Sequence, residues 1–228
     1  MGSRVLLITM NMEVIGQMSC NPAMGGVAKG QIVREIDALG GFSGVVSDQS
    51  MVQFRMLNRS KGPAMWSPRS QNDRSLFART WRQVLEGQPN VHFMQDSVVG
   101  LLVEPGEQGI PRVIGVRTSL GGTVLCRAVI LTSGTFMNGV MHIGDKQLGG
   151  GRAGEKASHG ITEQLVELGF EAGRMKTGTP PRVDGRSIDY AQMEEQLGDS
   201  NPGKFSYLPS TRPLEKQLSC WITYTNDQ

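Results

Sequence analysis

No run of apolar residues approaches the ~18 that a membrane-crossing helix requires. The opening stretch, Arg4-Val-Leu-Leu-Ile-Thr9, is short and carries neither a charged leader nor an extended apolar core. Cysteine is scarce: Cys20, Cys126 and Cys220 lie far apart, form no CxxC pair, and stand at no ligand spacing from His92, His142 or His159. That excludes a disulfide framework and a zinc-type centre, so no metal is expected, and each histidine is read as structural. Net charge is nearly absent as well, with 23 Lys and Arg against 21 Asp and Glu. A polyanion would have to be met by a local patch. There is no internal repeat, and no GxGxxG follows the first apolar run. A cytoplasmic protein with no membrane contact is the expectation.

Glycine is abundant instead, 30 in 228 residues, against ~7% in an average protein. Glycine on that scale marks places where backbone must pass close to something. The chain is also long enough to bury a sizeable core. The run 4–9 reads as a strand buried on both faces, as in a parallel sheet. A long non-periodic loop follows over 11–29, and such loops are more often functional than idle. Residues 30–39 read as an amphipathic helix stopped by Gly40-Gly41, and 72–86 as a second helix ended by Gly87 and Pro89. Between them, 53–69 is polar and basic. Short β-rich runs follow at 91–95, 98–104, 112–118 and 123–126, the last three forming an antiparallel meander. The run 128–132 repeats the buried-strand signature and enters a Ser133-Gly134-Thr135 turn. Ser158 is placed to cap a helix carrying Ile161, Leu165, Val166 and Leu168. Beyond Gly173 the chain is turn-rich, which sets a domain boundary near residue 170.

A parallel strand that ends in a glycine turn presents free backbone N–H groups where doubly wound folds hold nucleotides. Two such strand ends occur here, but a lone glycine turn is equally served by an α/β domain merely turning a corner. The first strand ends in Thr9-Met10-Asn11, with no acid placed for a ribose, and Glu13 stands too far along. Cys20 has two open readings. In a polar loop beside Ser19, Asn21 and Pro22 it is either a thiol activated by neighbouring N–H groups or a small buried residue. Cys126, at the end of a meander strand, reads as core. Arg55, Arg59, Lys61, Arg69, Arg74, Arg79 and Arg82, with Trp66 among them, either neutralise RNA phosphates and stack a base or form a solvated surface.

The segments Gly16-Gln-Met-Ser-Cys-Asn-Pro-Ala-Met-Gly-Gly-Val-Ala-Lys-Gly30, Glu35-Ile-Asp-Ala-Leu-Gly-Gly41, Gln53-Phe-Arg-Met-Leu-Asn58 and Ser60-Lys-Gly-Pro-Ala64 resemble successive signatures of one family. So do Leu131-Thr-Ser-Gly-Thr-Phe136, the glycines 149–154, Lys176-Thr-Gly-Thr-Pro-Pro-Arg182 and Ile222-Thr-Tyr-Thr-Asn226. They follow the order of the MnmG/GidA flavoproteins, which modify tRNA wobble uridine, and the resemblance spans essentially the whole chain. It implies an α/β, doubly wound FAD-binding domain of the glutathione-reductase type with a β-meander insertion, over 1–170. Part of a second β-rich, NADH-side domain follows over 171–228.

In that family NADH reduces FAD, a folate-derived one-carbon unit reaches C5 of the uridine, and glycine or ammonium completes a carboxymethylaminomethyl group. A GTPase partner takes part and the enzyme is a homodimer. The resemblance makes Cys20 the active-site thiol and points to Val98 and Ser158 as FAD contacts. Gly16, Gln17, Ser19, Asn21, Pro22, Gly25, Gly26, Thr132, Gly134 and Thr135 form the strand-end turns expected at the cofactor. Arg55, Lys61, Arg69 and Arg74 are the candidate tRNA contacts. Cys220 matches a family position without an assigned role. Family members begin with a GxGxxG phosphate turn and continue into a second cysteine-bearing segment and a helical region. The expectation is therefore an internal fragment that does not catalyse unaided. Two rivals remain: a folate- and FAD-dependent tRNA uracil-5-methyltransferase, and a non-catalytic RNA- or partner-binding module.

Overall fold

The computed structural model describes residues 2–226. In chain order its strands are β1 Val5–Thr9, β2 Ala23–Gly25, β3 Met51–Leu57, β4 Ser67–Asn72, β5 Val91–Gln95, β6 Val98–Pro105, β7 Pro111–Thr118, β8 Thr123–Leu125, β9 Val140–Ile143, β10 Lys146–Gly149, β11 Glu194–Gln196 and β12 Cys220–Ile222. The α-helices are α1 Lys29–Ala38, α2 Ser43–Ser50, α3 Arg74–Glu86 and α4 Ile161–Glu167. Contacts gather these elements into two units that interleave along the chain, the first from 1–13 and 90–177, the second from 14–89 and 178–228.

In the first unit β1 and β5 pair in parallel, Val5 opposite Val91 through Thr9 opposite Gln95. The meander is β6-β7-β8, antiparallel throughout, with register shifts in the β6–β7 pairing between Val98 and Gly100, where β6 carries the extra residue, and at Leu102 and Val103, where β7 does. Helix α4 is tied to it by one side chain. The Gln164 carboxamide accepts from Leu101 N at 2.6 Å and donates to Leu101 O at 2.7 Å, satisfying both backbone polar groups of one β6 residue. Strands β9 and β10 form a hairpin across Gly144, whose φ of 57° suits glycine.

Two expectations for this unit are corrected. Residues 128–132 form no strand, and Ile130 is 86% exposed. An apolar run is a buried strand only where neighbours supply ladder partners, and among the described residues no strand pairs with this one. Ser158 does not cap α4. The residue before the helix is Gly160, whose N–H donates to the Glu163 carboxylate at 2.9 Å, while Ser158 Oγ donates to Val98 O at 3.2 Å.

The second unit is built on a three-stranded antiparallel sheet ordered β2-β4-β3, whose strands β3 and β4 overlap the stretch 53–69 read as polar and basic. Val33, Met51, Phe54 and Phe205 form one core cluster, with Phe54 and Phe205 edge to face at 6.2 Å. Met18, Val46 and Phe77 form another, with Trp81 and Val84 packed against it. The segment after 178 has little regular structure and is held by side chains. Gln53 donates to Gln196 O at 2.9 Å and to Leu218 O at 3.1 Å, and Asp199 accepts from Met56 N at 2.9 Å. Buried Asp48 accepts from the amides of Phe205 at 2.7 Å and Ser206 at 2.9 Å. Burial pushes its carboxyl above the usual carboxylate range, although those two amides, Thr211 and Lys204 pull it back.

Helix α3 starts where Asp73, extended at φ −66° and ψ 116°, accepts from Leu76 N at 2.8 Å. Asp73→Ala removes that cap and is expected to cost about 1 kcal/mol. Urea denaturation followed by tryptophan fluorescence measures it, because Trp66, Trp81 and Trp221 all lie in this unit. A variant indistinguishable from wild type would show that tertiary packing alone sets the helix start.

Candidate active site

The loop from Gly16 to Gly26 is shaped by close approaches that only glycine permits. Gly25, at φ 83°, lies where a Cβ would stand 2.1 Å from Pro68 O and 2.6 Å from the Phe205 ring. Gly16, at φ 70°, packs against the Trp81 side chain, and Gly26 N donates to Pro68 O at 2.9 Å. The Pro22 carbonyl joins the loop to the end of β4, accepting from Asn72 N at 2.7 Å, while the Asn21 carbonyl accepts from Ala23 N within the loop at 2.7 Å. Held at both ends by the sheet and by α3, the intervening residues have little freedom of their own.

Cys20 sits in this loop, partly buried, with Sγ 3.2 Å from Thr179 Oγ1. Arg182 donates to the carbonyls of Ser19, at 2.9 Å, and of Cys20. Thr179 and Arg182 belong to the segment Lys176-Thr-Gly-Thr-Pro-Pro-Arg182, noted in the sequence as a signature but given no role. Their signal was its two consecutive prolines, which stiffen the backbone between the hydroxyl and the guanidinium. A thiol with a hydroxyl partner, in a loop whose carbonyls a cation secures, is suited to nucleophilic or proton-transfer chemistry. The pattern holds one sulfur in one place.

In the first unit the structure brings Val98 and Ser158 together. Ser158 Oγ donates to Val98 O, its own N–H donates to Phe136 O at 2.8 Å, and its carbonyl accepts from Asn138 N at 2.9 Å. Thr132, Gly134 and Thr135 lie on an exposed turn, and no heavy atom stands within 4 Å of where a Gly134 Cβ would be. Thr135 Oγ1 donates to Gly151 O at 2.9 Å, which joins this turn to the second glycine cluster.

The basic tract divides by partner. Arg59 pairs with Asp199 at 2.7 Å and lies over the Trp66 ring at 5.9 Å, and Arg82 pairs with Glu86 at 2.5 Å. Arg55 and Arg69 face each other across β3 and β4. Lys61 and Arg79 are exposed, and the Arg74 Nε is buried without a hydrogen-bond partner. The thiol of Cys220 lies between two carboxamides, 3.4 Å from Gln53 Oε1 and 3.8 Å from Gln71 Nε2, and reads as a packing residue. Among the described residues no cluster of His, Cys, Asp or Glu could hold a metal, and no helix is long and apolar enough to cross a membrane.

Residues 1–228 match the family described as glucose inhibited division protein A. The chain is 71% identical over 226 residues to the tRNA uridine 5-carboxymethylaminomethyl modification enzyme MnmG of Cytophaga hutchinsonii, covering 99% of this chain and 36% of that protein. It is 66% identical over 228 residues to the MnmG of Christiangramia forsetii, again 36% of that protein's length. The crystal structure of Aquifex aeolicus GidA superposes with a TM-score of 0.87 at 44% identity, covering 95% of this chain and 36% of that one. The chain thus spans about a third of the length of these relatives, and its α/β architecture is that of the corresponding part of GidA. A resemblance first drawn from eight separated motifs now rests on continuous identity and shared backbone, and the chain belongs to the MnmG/GidA family.

Proposed function

We propose that this chain is part of a FAD- and NADH-dependent enzyme that builds carboxymethylaminomethyl groups at C5 of tRNA wobble uridine, working in the cytoplasm as a homodimer with a GTPase partner. The single observation that carries this reading is the 71% identity, over 99% of this chain, to a protein named for that uridine modification. Residues 1–170 supply the FAD-binding domain and 171–228 part of a second, NADH-side domain. FAD is held by Val98, Ser158, Thr132, Gly134 and Thr135, and by the loop of Gly16, Gln17, Ser19, Asn21, Pro22, Gly25 and Gly26. When bound, the flavin supplies the redox chemistry. The chain's own residues position and shield: glycine turns present N–H groups, Thr179 orients the Cys20 thiol, and Cys20 acts as nucleophile or acid/base. Arg55, Lys61, Arg69 and Arg74 meet tRNA phosphates.

The test is purification of the protein carrying this chain, followed by visible absorbance and mass spectrometry of tRNA nucleosides. Flavin bands together with NADH-dependent appearance of the modified wobble uridine are expected. Methylated uridine in its place would favour the methyltransferase reading, and a colourless protein that binds tRNA would favour the binding module.

A further inference from the structure

Three cations in the second unit occupy positions that charge alone disfavours. Arg55 and Arg69 are direct cross-strand partners on β3 and β4, and like charges directly opposite each other destabilise a sheet. Lys29 is the first residue of α1, a helix with no acid in its first turn, so it sets a positive charge at the positive end of the helix dipole. Its ammonium reaches back along β2 to Ala23 O at 3.4 Å, and Gly25 of β2 pairs with Arg69. Lys29 is close enough to Arg69 that burial of its ammonium, and then the guanidinium, hold it below the usual lysine range. None of the three takes part in any ion pair among the described residues. Asp199, the carboxylate bound alongside β3, is committed to Arg59 and to Met56 N.

Sequences settle such conflicts locally unless a function holds them. Here the neighbouring positions are open to a ligand: Gly26 carries no side chain over Arg69, and an added Cβ would only reach its Cδ at 3.8 Å. Two arginines paired across adjacent strands, with the Lys29 ammonium beside one of them, supply the charge and the donors that a tetrahedral oxyanion takes. We propose that Arg55, Arg69 and Lys29 form a seat for one phosphate group, in which Arg59, Arg82 and Lys61 take no part. The phosphate comes from an RNA backbone or from a nucleotide. Only the RNA source rests on the function proposed above.

The probe is inorganic phosphate, titrated against chloride at matched ionic strength into the protein carrying this chain. Phosphate is expected to raise the melting temperature of wild type and of Lys61→Gln. Arg55→Gln and Arg69→Gln should start higher in phosphate-free buffer, because the like-charge pair is gone, and should lose the phosphate response. A purely structural arginine would give the opposite baseline. If a variant fails to fold, the wild type still decides: the NMR signal of ¹³C-dimethylated Lys29, assigned with Lys29→Arg, should move as the ammonium titrates higher with phosphate present. A phosphate-insensitive wild type, or variants that respond like wild type, would overturn the seat. With a tRNA transcript as ligand, Arg55→Gln should weaken binding about tenfold and lower the salt slope by about one. Loss of the phosphate response without any change in tRNA binding keeps the seat and assigns it to a nucleotide; absence of tRNA binding altogether refutes the RNA reading and leaves the seat standing.

Discussion

If the proposed function holds, Cys20→Ala in the full-length protein carrying this chain is expected to reduce wobble-uridine modification by ~10³-fold or more, the scale on which a positioned nucleophile or proton-transfer group contributes. The expectation rests on how much of the local structure serves this one thiol. Its loop is held at one end by Gly16 against Trp81 and at the other by Gly25 and Gly26 against Pro68. Arg182 secures the two carbonyls around it, and Thr179 meets the sulfur at 3.2 Å. A cysteine serving only to fill space would need none of these partners. It would also be replaceable by alanine at little cost, because Cys20 lies outside both core clusters of its unit.

The two readings therefore separate on a pair of measurements. Alanine should leave the tryptophan-monitored unfolding free energy within ~0.5 kcal/mol of wild type, as for other replacements away from a core, while nucleoside mass spectrometry finds no modified uridine. Cys20→Ser keeps the size and the hydrogen bond to Thr179 but not the sulfur nucleophile, so it should be as inactive as alanine. A serine variant with near-wild-type turnover would mean that the side chain acts through its hydrogen bond alone. An alanine variant with such turnover would remove Cys20 from the chemistry.

How legible each part was in the sequence depended on whether burial leaves a periodic trace. Helix α3 buries the stripe its spacing announced, Phe77 with Trp81 and Val84 packed beside it; α1 was announced by Ile32, Val33, Ile36 and Leu39, of which only Val33 is buried, so its bounds were legible to within about two residues but its buried face was not. The meander carried its own turn signals, Pro105-Gly106 and Gly121-Gly122. Helix α2 escaped notice because it is buried nearly all round, from Gly44 through Asp48 and at Ser50. Its serines satisfy themselves inside the helix, Ser47 Oγ on Ser43 O and Ser50 Oγ on Val46 O, both at 2.7 Å. A helix with polar residues on its buried side has no amphipathic signature.

Strands β3 and β4 escaped for a related reason. One face of their sheet carries Gln53, Arg55, Arg69 and Gln71, so the composition reads as loop, yet Gln53 is 2% exposed and bonded to two backbone carbonyls. Only the later segment that supplies those carbonyls makes such a strand intelligible. Residues 128–132 show the reverse error, apolar composition without a ladder partner. For the candidate site, the loop around Cys20 was visible as a motif. Its partners Thr179 and Arg182 were not, since about 160 positions separate them from it and spacing carries no information at that range.

Phe54→Ala is expected to be the most destabilising single change in the second unit, at about 3–5 kcal/mol, the range for truncating a buried phenylalanine. Phe54 is 1% exposed, stands on β3 among polar neighbours, and faces Phe205 edge to face. Gly203 packs so tightly on the ring that a Cβ there would lie 3.0 Å from it. The ring is the point at which the sheet, α1 and the segment after 200 share one core, together with Val33, Met51 and Phe205. Removing it leaves a cavity that three separate backbones line, and backbones pinned by Asp48 and Asp199 cannot close over it. Phe54→Leu keeps most of the volume and should cost less than half as much. Urea unfolding monitored by tryptophan fluorescence reads both variants, because every tryptophan of the chain lies in this unit. Equal losses for alanine and leucine would show that the aromatic contact with Phe205, and not the filled volume, holds the C-terminal segment to the sheet.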